Sequence, residues 1–360
     1  MSGKIITSAW TLAVIATALA LAGAQQTRVA VVAGGSVAES VTARDFKLVE
    51  PFACGMDNHG TLYIVEMAGR LLAVDRSGGI RRVAGGNEPG ASGDFGPAAD
   101  ARLSAPHHLL VLPSGDVLVA DTQNHRVRRL EMHTGSILPF AGTGASGFAG
   151  DGGPALEAKF GAVYCLALDA KRHALYVDDL DNRRIRRIDT ITGVVTTVAG
   201  NGRQGIPADG AIAADAPLVD PRAIACDSKG VLYILERSGN VLRAVDSHGR
   251  IWTVAGTGRA GPAADGEARS ATLRGPKHVT VDSHDNVLIA DTDNHVVRRF
   301  LAREGRIVTV AGTGVAGSGL GDGSPLTVQL NQPHGVYVAP DRSLYICDSW
   351  NGRVLRVREK

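Results

Sequence analysis

The chain has 360 residues, with 38 Lys and Arg against 36 Asp and Glu, and 44% of its residues are hydrophobic. A net charge so close to zero excludes a strongly basic nucleic-acid binder and an acidic solvating tail, and the apolar fraction excludes a disordered chain. Glycine is abundant at 45 residues and aromatics amount to only 4%, the balance of a chain with many turns between many short strands.

Lys4 precedes an apolar run from Ala9 to Gly23, and Ala22-Gly23-Ala24 supplies small residues before Gln25. This is the grammar of a secretory signal peptide, and the run is shorter than the ~20 residues a spanning helix needs. Residues 1–24 are therefore expected to be cleaved. Residues 25–360 are expected to be secreted or periplasmic, without a membrane span. Export permits disulfides. Yet Cys54, Cys165, Cys226 and Cys347 are widely spaced, each in an apolar strand-like run, which reads as four small buried thiols.

From here on the chain repeats itself. A phrase of the form Val-Ala-Gly ends at Gly34, Gly85, Gly142, Gly200, Gly256 and Gly312. A second phrase, Leu-Tyr-Ile-Val-Glu or a close variant, has its leading Leu at 62, 118, 175, 232, 288 and 344, so its steps are 56, 57, 57, 56 and 56 residues. Each unit reads as four strands. The first follows Pro51, Pro106, Pro221, Pro276 or Pro333, and the second is the Leu-Tyr phrase. The third is of the kind Arg126-Val127-Arg128-Arg129-Leu130, and the fourth of the kind Ile307-Val308-Thr309-Val310. β-Branched enrichment and alternation argue strand, and Ser114-Gly115, Thr192-Gly193 and His248-Gly249 argue turns.

Four short antiparallel strands repeated radially define an all-β, six-bladed β-propeller in a single domain. The blades span roughly residues 48–86, 101–144, 158–202, 216–258, 271–314 and 328–360. The sixth unit ends after its third strand, while a fourth-strand phrase without a unit stands at residues 28–35. That segment is predicted to complete the last blade and close the ring. The Gly-rich linkers with Asp151-Gly152, Asp209-Gly210, Asp265-Gly266 and Asp322-Gly323 are blade connectors, because no helix follows them to build a phosphate site.

The run Asp121-Thr122-Gln123-Asn124-His125-Arg126-Val127-Arg128-Arg129, nearly repeated from Asp291 to Arg299, resembles the signature of the NHL-repeat propellers. The resemblance covers essentially the whole chain after residue 24. It implies a fold rather than a function, because such propellers include binding modules, receptor ectodomains and a few enzymes.

A position filled alike in every unit serves the blade. The second strand always ends on an acid: Glu66, Asp121, Asp179, Glu236, Asp291 or Asp348. These are read as acceptors for the following loop and as partners of nearby arginines. Glu66 and Glu236 fall in opposed blades with shorter loops, so their longer side chains are candidates to reach the channel as ligand-binding groups. The position after the first-strand Pro changes from unit to unit: Phe52, His107, Tyr164, Arg222, Lys277, His334. The next position reads Ala53, His108, Cys165, Ala223, His278, Gly335. First strands line a propeller's channel, so His108 and Lys277 are further ligand-binding candidates. An imidazole set of this kind suits Zn²⁺, oxygen donors suit Ca²⁺, and Arg222 with Lys277 suits an anion.

The peptidyl-hydroxyglycine amidating lyases are similar in fold and hold a catalytic metal with His residues of Pro-His motifs. Pro106-His107 and Pro333-His334 match that motif, whereas Pro276-Lys277-His278 carries its His one residue late. The resemblance implies His107, His334 and His278 as metal ligands, Tyr164 as a general base and Arg222 as an anion stabiliser. Adjacent strand residues point oppositely, so His278 is expected to diverge from the other two.

Three readings follow. The leading one is an exported binding module with a polar site at the channel mouth for a small molecule, glycan or protein segment. The second is a metal-dependent lyase or hydrolase, and the third a structural disc for protein contact. A monomer without nucleic-acid partners is expected in each. No nucleophile elbow or ordered Ser-His-Asp set is present, which argues against a triad hydrolase.

Overall fold

The computed structural model describes residues 27–34, 42–86 and 88–358. The proposed signal segment lies outside them. Six antiparallel sheets follow one another along the chain. Their innermost strands are Pro51–Met56, His108–Val111, Val163–Asp169, Pro221–Cys226, His278–Val281 and Pro333–Val338. Each packs on the innermost strands of both neighbouring blades, which closes a six-bladed propeller around a central channel. Blades four and five add a two-residue outer strand, Ala211–Ile212 and Gly266–Glu267. Among the described residues no helix is long and apolar enough to cross a membrane.

The ring is closed as the repeat count predicts. Arg28–Gly34 pairs antiparallel with Arg353–Arg358 and forms the outermost strand of the sixth blade. The hydrophobic core lies between blades. One cluster joins Val65 and Leu71 of blade one to Leu109 and Val117 of blade two, and the next joins Leu118 and Val127 of blade two to Val163 and Leu166 of blade three. A blade therefore has no core of its own and is stable only against its neighbours. The four cysteines are unbridged, and all but Cys226 are buried.

The repeated Val-Ala-Gly phrase has a steric cause. At Gly256 and Gly312 φ is +92° and +96°, and a Cβ would collide with the carbonyl oxygen of Asn240 or His295 in the turn after the second strand. Only glycine combines that dihedral with so close an approach of backbone to backbone.

Buried hydroxyl groups tie blades together at three of the junctions. Thr122 Oγ1 donates to the Val163 carbonyl (2.7 Å), Thr292 Oγ1 to that of Pro333 (2.8 Å) and Ser349 Oγ to that of Pro51 (2.7 Å). All three hydroxyl residues are buried, and each bond contributes on the order of 1 kcal/mol.

Deleting residues 25–34 removes the outer strand of blade six and bares one edge of Arg353–Arg358. The expected result is a clear fall in the thermal midpoint by circular dichroism, with earlier proteolysis in the last blade. An unchanged midpoint would refute closure by this strand.

Candidate functional site

The six acids that end the second strands are fully buried and make one repeated contact. Each accepts a backbone N–H from the connector entering its blade: Val49 to Glu66 (2.6 Å), Ser104 to Asp121 (2.8 Å), Gly161 to Asp179 (2.7 Å), Val219 to Glu236 (2.6 Å), Arg274 to Asp291 (2.8 Å) and Asn331 to Asp348 (2.7 Å). Each also meets an arginine of the third strand. Glu66 pairs with Arg70, Asp121 with Arg126 and Arg128, Asp179 with Arg186, Glu236 with Arg243, Asp291 with Arg298 and Asp348 with Arg353. Burial is the largest influence on the four aspartates and raises their pKa, to about 6 for Asp179 and Asp291.

The expectation that Glu66 and Glu236 reach the channel is corrected by these contacts. In blades with aspartate, an asparagine three residues on donates to the carboxylate at 2.8 Å (Asn124, Asn182, Asn294, Asn351). In blades one and four that place holds Gly69 and Gly239, and a Cβ at Gly239 would press on Glu236 itself. The extra methylene of glutamate fills the space of the missing asparagine and delivers the carboxylate to the same connector N–H.

The variable positions do face the channel, in two layers. The register of the first strand slips at its start: Pro51 faces Glu66 but Ala53 faces Val65, so Phe52 is an extra residue. Blades four and six slip in the same way at Arg222 and His334. In blades two and five the N–H of His107 and of Lys277 reaches the carbonyl of Ala120 (3.3 Å) or Ala290 (3.0 Å). A bulge re-aims side chains, so two successive residues can both turn inward. This is the signal that simple alternation misses.

The first layer is a ring built from the residue after each first-strand Pro and, in blade three, after Val163. Phe52 stacks on His334 (centroids 4.2 Å, 6°) and lies 4.9 Å from His107, which meets Tyr164 edge-on at 4.3 Å. The Arg222 guanidinium covers the Tyr164 ring at 3.8 Å, and Lys277 Nζ lies 3.1 Å from His334 Nε2. Five of the six neighbouring pairs therefore touch. Among the described residues the one junction without a direct contact is between the two cations, Arg222 and Lys277.

The ring imidazoles are neutral. Burial pushes both down, His107 well below its usual value and His334 to about 3, with further depression by Arg222 and by Lys277 respectively. Burial also lowers Lys277 to about 8 and Arg222 to about 10. Behind Arg222 lies Asp178, which sequence reasoning passed over. It occupies the position that holds Val65, Ala120, Leu235, Ala290 and Cys347 in the other blades. Both its oxygens are buried without a hydrogen-bond partner, as is Arg222 Nε. Burial raises Asp178 well above the carboxylate range, against the attraction of Arg222. The Asp178-Asp179 doublet was the one available sequence signal.

The second layer holds His108 and His278, with ring centroids 4.8 Å apart. The split corrects the implied ligand set: His278 pairs with His108, while His107 and His334 stand in the first layer on either side of Phe52. Neither layer fits a metal. In the ring, Phe52 separates the two imidazoles, Lys277 holds Nε2 of His334, and Arg222 adds a second positive charge. In the second layer, ligand atoms of His108, Cys165 and His278 lie within 4.8 Å of one another. However, His108 Nδ1 accepts the Leu166 N–H (3.2 Å) and His278 Nδ1 accepts the Val336 N–H (3.4 Å). The remaining nitrogen of each neutral ring then carries the proton and offers no lone pair. Burial also raises the Cys165 thiol to about 12. The roles implied for Tyr164 and Arg222 lose their metal with these sets.

Comparison with known proteins agrees with this architecture. The sequence profile of the Teneurin NHL domain matches residues 154–263, and that of the NHL repeat matches residues 103–130 and 330–356. The chain is a six-bladed β-propeller with NHL repeats at residues 103–130 and 330–356. It is 24% identical over 316 residues to NHL repeat-containing protein 2 of Bos taurus, covering 79% of this chain and 43% of that one. It is 27% identical over 286 residues to Teneurin-m of Drosophila melanogaster, covering 73% and 10%. The chain thus spans less than half the length of these curated relatives. Among solved structures it resembles an auxiliary nutrient binding protein of Bacteroides ovatus, with TM-score 0.66, 17% identity and coverage of 93% and 77%. It also resembles virginiamycin B lyase of Staphylococcus aureus, with TM-score 0.52, 15% identity and coverage of 88% and 98%. At such identities these likenesses establish the fold alone.

The carboxylates of Glu66 and Glu236 hold connectors, so Glu66→Ala and Glu236→Ala should each destabilise the fold by about 3 kcal/mol, since each strands a buried arginine. Chemical denaturation measures this. Retained stability together with lost ligand binding would return these residues to the channel.

Proposed function

We propose that this protein is an exported binding module and that the ring at the channel mouth recognises a small carboxylate-bearing molecule, such as an acidic sugar. The observation that carries the reading is the open junction between Arg222 and Lys277. Five neighbouring pairs of the ring make attractive contacts. The sixth sets two like charges in neighbouring places, and among the described residues no side chain hydrogen-bonds to both of them. A carboxylate placed there takes charge-assisted hydrogen bonds from both and removes their repulsion.

The charges around the junction favour this use. Asp220, the carboxylate two residues before Arg222, is bound by Arg237 (3.0 Å) and Ser238 (2.6 Å). Lys277 feels Asp293 and Glu50 as attraction and Arg222 and Arg237 as repulsion, with burial the larger influence. His334 and His107 are neutral and add no charge. Arg222 is held over the Tyr164 ring at 3.8 Å, which fixes its place before a ligand arrives. The fold likeness to auxiliary nutrient binding proteins agrees with a binding role, as does the signal-like segment of residues 1–24 with export. We take the working form to be a monomer without nucleic-acid partners.

Calorimetry with glucuronate, and with glucose as the neutral counterpart, tests the proposal. Glucuronate should bind and glucose should not, and Lys277→Gln should weaken glucuronate binding by about tenfold or more, the worth of one hydrogen bond to a charged group. Because Lys277 must be protonated to donate, affinity should hold below pH 8 and fall as pH rises through about 8. Equal binding of glucose, or a flat pH profile with an unaffected Lys277→Gln variant, would overturn the assignment.

A further inference from the structure

The ring occupies one end of the channel. Beyond the second layer, toward the far ends of the first strands, a cavity of about 200 Å³ opens. All six first strands line it, and apolar side chains share its walls with polar backbone, Met56, Leu110, Leu168, Ala225, Val281 and Tyr337 among them. His108 and His278 also line it, whereas none of the six ring residues does. The cavity is thus a pocket with imidazoles where it meets the second layer, separate from the site proposed above. Pockets for drug-sized ligands begin at about 300 Å³, so its occupant is smaller than that.

The imidazoles give it a definite polarity. The Nδ1 atoms of His108 and His278 accept backbone N–H groups of Leu166 and Val336, which leaves Nε2–H as the donor on each ring. His278 Nε2 is buried and has no hydrogen-bond partner. Among the described residues His108 Nε2 has no protein acceptor either. A donor left unpaired in a buried place is costly, so His278 Nε2–H calls for an acceptor that the surrounding side chains do not provide, with His108 Nε2–H beside it. Among the lining side chains there is no carboxylate that can serve. Arg222 acts on His278 from the ring side and makes the potential there positive.

We infer that this cavity is a second, independent binding site, for a short unbranched monocarboxylate. Its oxygens accept the Nε2–H groups of His108 and His278, and its alkyl tail lies along the apolar walls toward the far mouth. Both rings are neutral, since burial lowers His108 to about 3 and His278 well below its usual value. The site is therefore a pair of fixed N–H donors rather than an ion pair, and the tail contributes a substantial share of the affinity.

The test is a titration of the full chain with acetate and with butyrate, read by the imidazole ¹⁵N and ¹H signals of His108 and His278. Butyrate should shift both signals while each ring keeps its Nε2 proton. It should bind about fifteenfold tighter than acetate, at ~0.8 kcal/mol for each of two buried methylenes. Lys277→Gln should leave this binding intact, which separates it from the ring site. Thr280→Phe places bulk on the cavity wall two residues along the strand from His278 and should abolish it without removing either imidazole. Signals that ignore butyrate would overturn the inference, as would equal affinity for acetate and butyrate. Zn²⁺ binding that strips both Nε2 protons would overturn it too, because the pair would then be a metal site.

Discussion

The propeller rests on one contact made six times: a buried carboxylate at the end of the second strand accepts the N–H of the connector that enters the blade. That bond fixes where the connector arrives, and hence where the first strand begins. An arginine of the adjacent third strand then balances the charge. It comes from either of two third-strand positions that share a face, as Arg126 and Arg128 do in blade two. In a structure whose blades have no cores of their own, holding each connector in register is what lets neighbouring blades share one. A buried ion pair is weak evidence for stability in itself, but removing one partner is costly, which suits a fastening that must not slip.

The same device decides where chemistry can occur. With the strand start held, the bulge after each Pro has freedom to turn an extra side chain inward without disturbing the ladder behind it. The fold therefore separates a constant layer from a variable one. The constant layer is made of acids, asparagines and arginines. The variable layer changes from Phe52 to His107, Tyr164, Arg222, Lys277 and His334, and the layer below it holds a single pair of imidazoles. The channel is where the six-fold repeat changes its chemistry from blade to blade, so selectivity has to come from there.

Much of the architecture was legible in the sequence, because a period of 56 or 57 residues leaves little room for another fold. The stray fourth strand at residues 28–34 likewise has only one place to go. The two-layer channel was not legible. Alternation predicts that His107 and His108 point apart, and it takes the register slip to turn both inward. Nor does the sequence show that a glutamate can do an aspartate's work when the loop behind it lacks an asparagine, which is why Glu66 and Glu236 looked like channel groups. Asp178 was overlooked for a related reason. Its neighbour Asp179 belongs to the repeat, and only the packing of blades three and four shows that one of the two carboxyls lies buried and unpaired beside Arg222.

What unites the channel is an excess of hydrogen-bond donors over ionised acceptors. Arg222, Lys277 and the two Nε2–H groups all present protons, while the nearest acids are tied to other partners or, in Asp178, pushed toward the neutral form by burial. Such a lining selects for negative charge in what it binds. The most direct measurement of that claim is anomalous diffraction from crystals soaked in bromide, which locates small anions without assuming a ligand. The account predicts a bromide peak between the Arg222 guanidinium and Lys277 Nζ, lost in Lys277→Gln. Bromide found only at the outer rim of the blades, with the channel mouth empty, would contradict it.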